Sequence, residues 1–242
     1  MFRGTVLFLA LFSVAFMIHA QAEAWTVLGS GTGSLVGGDL TDPENDIVDN
    51  TGAAPYGGSG YNWKSVSSSS SLWFNSYGGS NEAALDLFDN QVGGGGAKWY
   101  DGGVSDYWVA VEFDQPYTLD SFTIGSGNDS ATSRQPDIFQ IQGSKDGSTW
   151  TDIYSYDNDG TSPWGNANNN QILEWAAGVD FTKPSAYSWF RLNVDSDNGG
   201  GLDPQLTEWE LFGTAVVPEP STVVMALFGL VGMLAFLRKR KK

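Results

Sequence analysis

The 242-residue chain has no cysteine, a single histidine (His19), and only 12 Lys and Arg against 28 Asp and Glu. Each scarcity removes a class of chemistry. Without cysteine there is no disulfide framework, so an exported domain must be held together by its core. Thiol nucleophiles and cysteine zinc sites are excluded with it. His19 sits at the end of an apolar N-terminal run. If that run is removed on export, Ser-His and Cys-His nucleophiles and histidine-bound zinc are excluded too. Arg3 and the five cations of Arg238 to Lys242 lie at the two ends, leaving Lys64, Lys98, Arg134, Lys145, Lys183 and Arg191 in a body that carries 26 acids. A net charge of about −20 repels phosphate backbones, so no nucleic-acid partner is expected. It favours cations and neutral ligands, and it keeps an exported protein soluble even without a partner.

Ordinary membrane spans are missing as well. The apolar run Val6 to Ile18 is shorter than the roughly 20 residues a span requires. Preceded by Arg3 and followed by Ala20-Gln21-Ala22 and Ala22-Glu23-Ala24, it has the charged, apolar and small-residue regions of a secretory signal peptide. Cleavage is expected after Ala24, so residues 1–24 would leave and take His19 with them.

What the chain has in excess is glycine, 31 residues, and aromatics, 14%. That composition suits short strands and rich turns around an aromatic core. Residues 25–79 read as an irregular N-terminal layer: Trp25 to Leu28 is strand-like, and Tyr61, Trp63, Trp73 and Phe74 need something to pack against. Asn81 to Phe88, with Ser80 as N-cap, predicts one or two helical turns. From Tyr107 onward short strands recur: Tyr107 to Phe113, Phe122 to Ile124 beyond Pro116, Ile172 to Trp175, Phe190 to Val194 and Trp209 to Phe212. Such spacing is that of an antiparallel sandwich or barrel.

The clearest segment is Arg134 to Ile153. Phe139-Gln140-Ile141-Gln142 alternates with the period of a half-buried strand, Asp146-Gly147 supplies a turn, and Trp150 to Tyr154 alternates again. Pro136 should open the first strand, since proline is excluded from a paired strand's interior. Arg-x-Pro, F-x-I and Gly143-Ser144-x-Asp146-Gly147-x-x-Trp150 resemble the central hairpin of the F5/8 type C (discoidin) family. Leu87-Phe88-Asp89-Asn90 leading to Lys98-Trp99, and Gln205 to Gly213, resemble two further family segments in the right order. The resemblance covers roughly residues 80 to 214 and implies an all-β, galactose-binding-like jelly-roll β-sandwich of about eight strands. It marks Asp89 and Glu208 as Ca²⁺ ligands, with backbone carbonyls completing the six to eight oxygens such an ion takes. Two departures bear on that site: Ala97 replaces the family threonine, and Gly93 to Gly96 lengthen the loop.

After the sandwich (25–214) comes a three-part tail, 215–242. Pro218-Glu219-Pro220 precedes the apolar helix 223–237 and the basic cluster Arg238 to Lys242. This resembles the PEP-CTERM sorting signal of Gram-negative bacteria. It implies transient anchoring in the inner membrane, basic end in the cytoplasm. Recognition by an exosortase and release to the cell surface or extracellular matrix would follow.

For a ligand, the expected contacts are Arg134, which can cap a sugar or pair with Asp137, and Trp164, the tryptophan of the most polar loop and so the one expected to be exposed. Asp195-x-Asp197-x-Gly199-Gly200-x-x-Asp203 opens like a calcium loop, but Leu206 stands at its twelfth position and no helix flanks it, so it reads as a turn. Asn128-Asp129-Ser130 matches a glycosylation sequon, read here as coincidental. The expected function is a secreted, non-enzymatic carbohydrate-binding or extracellular-matrix module. The alternatives are a purely structural biofilm or exopolysaccharide protein without a specific ligand, and a glycosidase built on two carboxylates.

Overall fold

The computed structural model describes residues 25–41, 63–72, 82–94, 97–102 and 104–216. The signal peptide with Ala24, Tyr61, Trp73, Phe74, Ser80, Pro218-Glu219-Pro220 and the tail helix 223–237 lie outside the described residues. Nine strands follow one another: β1 Thr26–Ser30, β2 Ser65–Ser68, β3 Trp99–Tyr100, β4 Tyr107–Ser126, β5 Pro136–Ser144, β6 Thr151–Asp157, β7 Gln171–Ala176, β8 Tyr187–Asp197 and β9 Gln205–Ala215. All pairings are antiparallel. Two 3-10 turns, Thr32–Ser34 and Ala84–Phe88, are the helical segments among the described residues. No helix among the described residues is long and apolar enough to cross a membrane.

The fold hinges on β4. Its first half, Tyr107 to Glu112, pairs with β2 and β8, and β8 continues to β5 and β6. Its second half, Tyr117 to Ser126, pairs with β7 and β9, which carry β1 and β3 at the edges. One long strand thus belongs to both layers of a jelly-roll sandwich. Two separate strands around Pro116 were expected from the sequence, and the difference has a simple cause. The register breaks between Glu112 and Tyr117. Pro116 lies in that break, where a missing N–H costs no ladder bond, while its carbonyl still accepts from Val216 N at 2.9 Å.

Alternation places the core. Phe139, Ile141, Phe190, Leu192 and Val194 face inward from one layer, and Phe122, Ile124, Leu173, Trp175, Trp209 and Leu211 from the other. Phe122 stacks on Trp175 at 5.1 Å, and Phe139 on Tyr156 at 5.5 Å. Each such side chain contributes roughly 1.5–3 kcal/mol by leaving water, which is how the domain holds without disulfides.

The described part of the N-terminal layer is more regular than its sequence implies. β1 extends one layer and β2 the other, and Leu40 N donates to Leu211 O at 2.7 Å where residues 35–41 cross β9. The Ala84–Phe88 turn starts later than predicted; its first turn is held by the Asp86 carboxylate, which accepts from Ala83 N at 2.8 Å. Pro136 opens β5, as predicted. At the hairpin tip Asp146 Oδ1 accepts from Ser148 N at 2.9 Å and Thr149 N at 2.8 Å, and Gly147 supplies the positive φ of 70°. These backbone donors hold the Asp146 carboxyl well below its usual range.

Candidate functional site

Four carboxylates gather under the N-terminal segment where it crosses β9: Asp39, Asp89, Glu208 and Glu210, all buried. Glu208 and Glu210 share one face of β9 by alternation, yet their surroundings differ. Glu210 is satisfied: it accepts from Gly37 N at 2.7 Å, Val36 N at 3.3 Å and Thr123 Oγ1 at 2.6 Å, anchoring the crossing segment. Glu208 takes a bond from the Asn90 amide, but its Oε2 has no hydrogen-bond partner among the described residues. Burial first, then the charges of Asp89, Glu210 and Asp39, push its carboxyl well above the usual range.

Asp89 follows the Ala84–Phe88 turn and is 2% exposed, as is Glu208. It accepts from Gln91 N at 3.0 Å. Beyond it the chain coils through Asn90, Gly93 and Gly94 at φ of 56°, 95° and 103°, conformations that glycine adopts freely and asparagine tolerates. Gly95 and Gly96 lie outside the described residues. No three Asp, Glu, His or Cys side chains among the described residues form a metal-ligand group, so a cation here would depend on carbonyl oxygens as well. What the site offers is one buried carboxylate oxygen without a hydrogen-bond partner among the described residues, its charge opposed by burial and by neighbouring acids, beside a tightly coiled loop.

A second polar cluster closes the same end of the sandwich. Lys98, nearly buried, donates to Asn128 Oδ1 at 2.9 Å, Asp129 Oδ2 at 3.1 Å and Gln205 Oε1 at 3.2 Å, and pairs with Glu82 at 3.4 Å. Asn128 Nδ2 in turn donates to Gly94 O at 2.6 Å, tying the glycine loop to the β4–β5 loop. Arg134 lies over the Tyr100 ring at 4.4 Å and pairs with Asp203 at 3.4 Å. Asp137, the partner weighed from the sequence, instead accepts from Gly160 N at 2.6 Å and from the Ser196 hydroxyl. Asp197, the last residue of β8, accepts from the amides of Gly199, Gly201 and Asp203, so the turn to β9 begins after it while Asp195 and Asp197 themselves belong to the strand.

Trp164 corrects the sequence reading. It is 1% exposed rather than displayed, with its ring stacked on Phe139 at 6.4 Å and edge-on to Trp175 at 6.2 Å. Its polar neighbours are spent on folding the loop: Asn166 Oδ1 accepts from Ser162 N at 2.7 Å, Gly165 N donates to Ser162 O at 2.9 Å, and Gly165 and Asn166 both have positive φ. The turn they make directs the indole into the core. Polarity in a loop suggests exposure, but here it satisfies the backbone.

The F5/8 type C domain profile matches residues 65–202, more than half of the chain. The chain belongs to the F5/8 type C domain family. The PEP-CTERM protein-sorting motif matches residues 216–241, so this F5/8 type C domain carries the sorting signal directly behind β9. No curated protein matches the chain. Among solved structures, the C-terminal domain of a chitobiase from Bacteroides fragilis is similar at 18% identity over 64% of this chain and 98% of that one, with a TM-score of 0.46. CpGH89CBM32-5 from Clostridium perfringens, in complex with GalNAc-β-1,3-galactose, is similar at 14% identity over 61% of this chain and 94% of that one, TM-score 0.44. A pectin binding carbohydrate binding module is similar at 19% identity over 64% and 94%, TM-score 0.44.

Sequence reasoning missed Asp39, Glu210 and Lys98 in this F5/8 type C domain. The alternation of Glu208 and Glu210 in β9 was a usable signal. Lys98 stood in a family segment that implied no site role for it, and Asp39, whose carboxylate accepts from Thr41 N at 2.8 Å, reads locally as a turn residue; no local pattern brings either one to this end of the sandwich. The paired carboxylates near Asp89 are sealed from solvent, so they do not form the open two-carboxylate cleft that a glycosidase requires.

Proposed function

We propose that this chain is an exported, non-enzymatic glycan-binding module that works at the cell surface or in the extracellular matrix. The observation that carries the reading is one of placement. The F5/8 type C sandwich closes with β9 at Ala215, and the sorting motif begins at residue 216, so the described body ends where the sorting tail starts. An exosortase acting on Pro218-Glu219-Pro220 would then release the whole sandwich, with no catalytic domain between it and the tail. The strongly acidic body suits a neutral saccharide better than a polyanion.

Asp89 and Glu208 would hold a Ca²⁺, with carbonyls of the loop that follows Asp89 as further ligands. The ion would supply the positive charge that four neighbouring carboxylates lack, and tie that loop to the last strand. Its role is structural: the carboxylates are buried, so they pin loops rather than touch a sugar.

Binding is tested by probing the full chain, kept in detergent for its tail, on an array of neutral and acidic glycans. Retention of a saccharide class is expected. A flat array overturns the glycan reading and leaves a structural matrix protein.

A further inference from the structure

The loop end of the sandwich shows no displayed aromatic face among the described residues: Trp164 and Trp99 are buried there, and the Tyr100 ring is covered by Arg134. Trp25 is partly open but packs against Tyr156 and Trp175, and three other partly open tryptophans lie elsewhere. Trp108, Trp150 and Trp189 are each only partly covered, and all three belong to the outer face of the layer built from β4, β8, β5 and β6.

Strand register composes that face. On β8, Trp189, Arg191, Asn193 and Asp195 alternate outward while Phe190, Leu192 and Val194 fill the core. Opposite them on β5 stand Ser144, Gln142 and Gln140, and on β4 Glu112, Ala110 and Trp108. The row on β8 is about 20 Å long at 3.3 Å per residue, and the four strands are about 14 Å across at 4.8 Å per spacing. At its centre the Arg191 guanidinium lies between two indoles, 4.3 Å from the Trp150 ring and 6.0 Å from the Trp108 ring. Its Nε donates to Gln142 Oε1 at 2.6 Å. No carboxylate among the described residues forms an ion pair with it, so its terminal nitrogens keep their donors for another molecule.

The polar groups around it are already oriented by one another. Gln142 Nε2 donates to Asp152 at 2.7 Å, Gln140 Nε2 to Asp195 at 2.8 Å, and Asn193 Nδ2 to Gln140 Oε1 at 2.8 Å and Asp195 Oδ1 at 2.9 Å. At the hairpin end of the face the Trp189 ring lies against Gly147.

Planar amides, carboxylates and a guanidinium, held rigidly beside indole rings, match adjacent sugar hydroxyls and the C–H faces between them. A cation beside aromatics and flanked by the carboxylates of Asp152 and Asp195 does not suit a polyanion. We propose that this sheet face, centred on Arg191 between Trp108 and Trp150, is the glycan-contacting surface, and that it takes an uncharged, hydroxyl-rich polysaccharide chain. The inference rests on the glycan-binding reading above and places its contacts on the sheet rather than at the loop end.

The test is affinity electrophoresis of the full chain in detergent through gels containing galactomannan, mixed-linkage β-glucan or polygalacturonate, with tryptophan fluorescence as a second readout. Wild type should be retarded by a neutral polysaccharide. Trp150→Ala and Arg191→Ala should each weaken retardation at least about ten-fold, and Arg191→Lys should do so while keeping the charge. Arg134→Ala should change it less than about two-fold. Melting curves matching wild type guard against misfolded variants. If wild type is retarded and Trp150→Ala and Arg191→Lys are retarded equally, the sheet face is overturned while glycan binding stands. Preference for polygalacturonate overturns the neutral ligand. No retardation by any polysaccharide overturns both readings.

Discussion

Removing the cation from the Asp89–Glu208 site should change both the stability of the sandwich and its pH dependence. A ligand bound only by the folded form adds RT ln(1 + [L]/Kd), about 2.7 kcal/mol with free Ca²⁺ at 100 times Kd. For a body of this size that is a rise in Tm of roughly 5 to 10 °C, at about 2 to 4 °C per kcal/mol. The state of Glu208 adds a second signature. In EDTA its carboxyl is raised by burial and by Asp89, so the folded form binds a proton that the unfolded form releases above the ordinary glutamate pKa. Stability in EDTA should therefore fall as pH rises from about 4.5 towards the raised value, by up to 1.4 kcal/mol or about 3 to 6 °C per pH unit for one proton. With millimolar Ca²⁺ the carboxylate is ionised in both states and that slope should flatten, so the gap between the two curves widens towards neutral pH. Glu208→Gln should abolish the calcium shift and flatten the EDTA slope, melting no lower than wild type in EDTA at pH 7. Differential scanning fluorimetry from pH 5 to 8 reads all of this. Superimposable wild-type curves in Ca²⁺ and in EDTA at every pH would refute the reasoning.

Three further outcomes are expected. Trp164→Ala should cost about 3–5 kcal/mol in urea denaturation through the cavity it leaves against Phe139 and Trp175; a loss below 1 kcal/mol would contradict the burial of that ring. Lys98→Met should cost about 1–3 kcal/mol, because Gln205 and Asn128 lose their charged donor, the partial exposure of Asp129 and Glu82 keeping the cost below that of a fully buried pair; an unchanged urea midpoint would show that the cluster is not stabilising. In a host that processes such tails, the full chain should fractionate with membranes until cleaved, a chain ending at Val217 should be soluble in the periplasm, and Glu219→Ala should slow processing without altering the melting curve; identical fractionation of the full and shortened chains would defeat the sorting mechanism.

The period-two alternation of Phe139 to Gln142, Phe190 to Val194 and Trp209 to Phe212, with Asp146-Gly147 between two such runs, determined the strands, the hairpin and the all-β class, because these signals act between residues close in the chain. The absence of cysteine and the scarcity of cations likewise determined what chemistry the body can offer. What tertiary structure decided was everything that depends on register between distant strands. Pro116 does not end a strand, because β4 changes partners there. Arg134 meets Asp203 rather than Asp137, and Trp164 turns inward because its loop's polar groups bond to one another. Arg191 stands between Trp108 and Trp150 only because β8 lies beside β4 on one side and β5 on the other. No local pattern encodes those neighbours: the alternation says which way a side chain points, and only the pairing of strands far apart in sequence says what it meets.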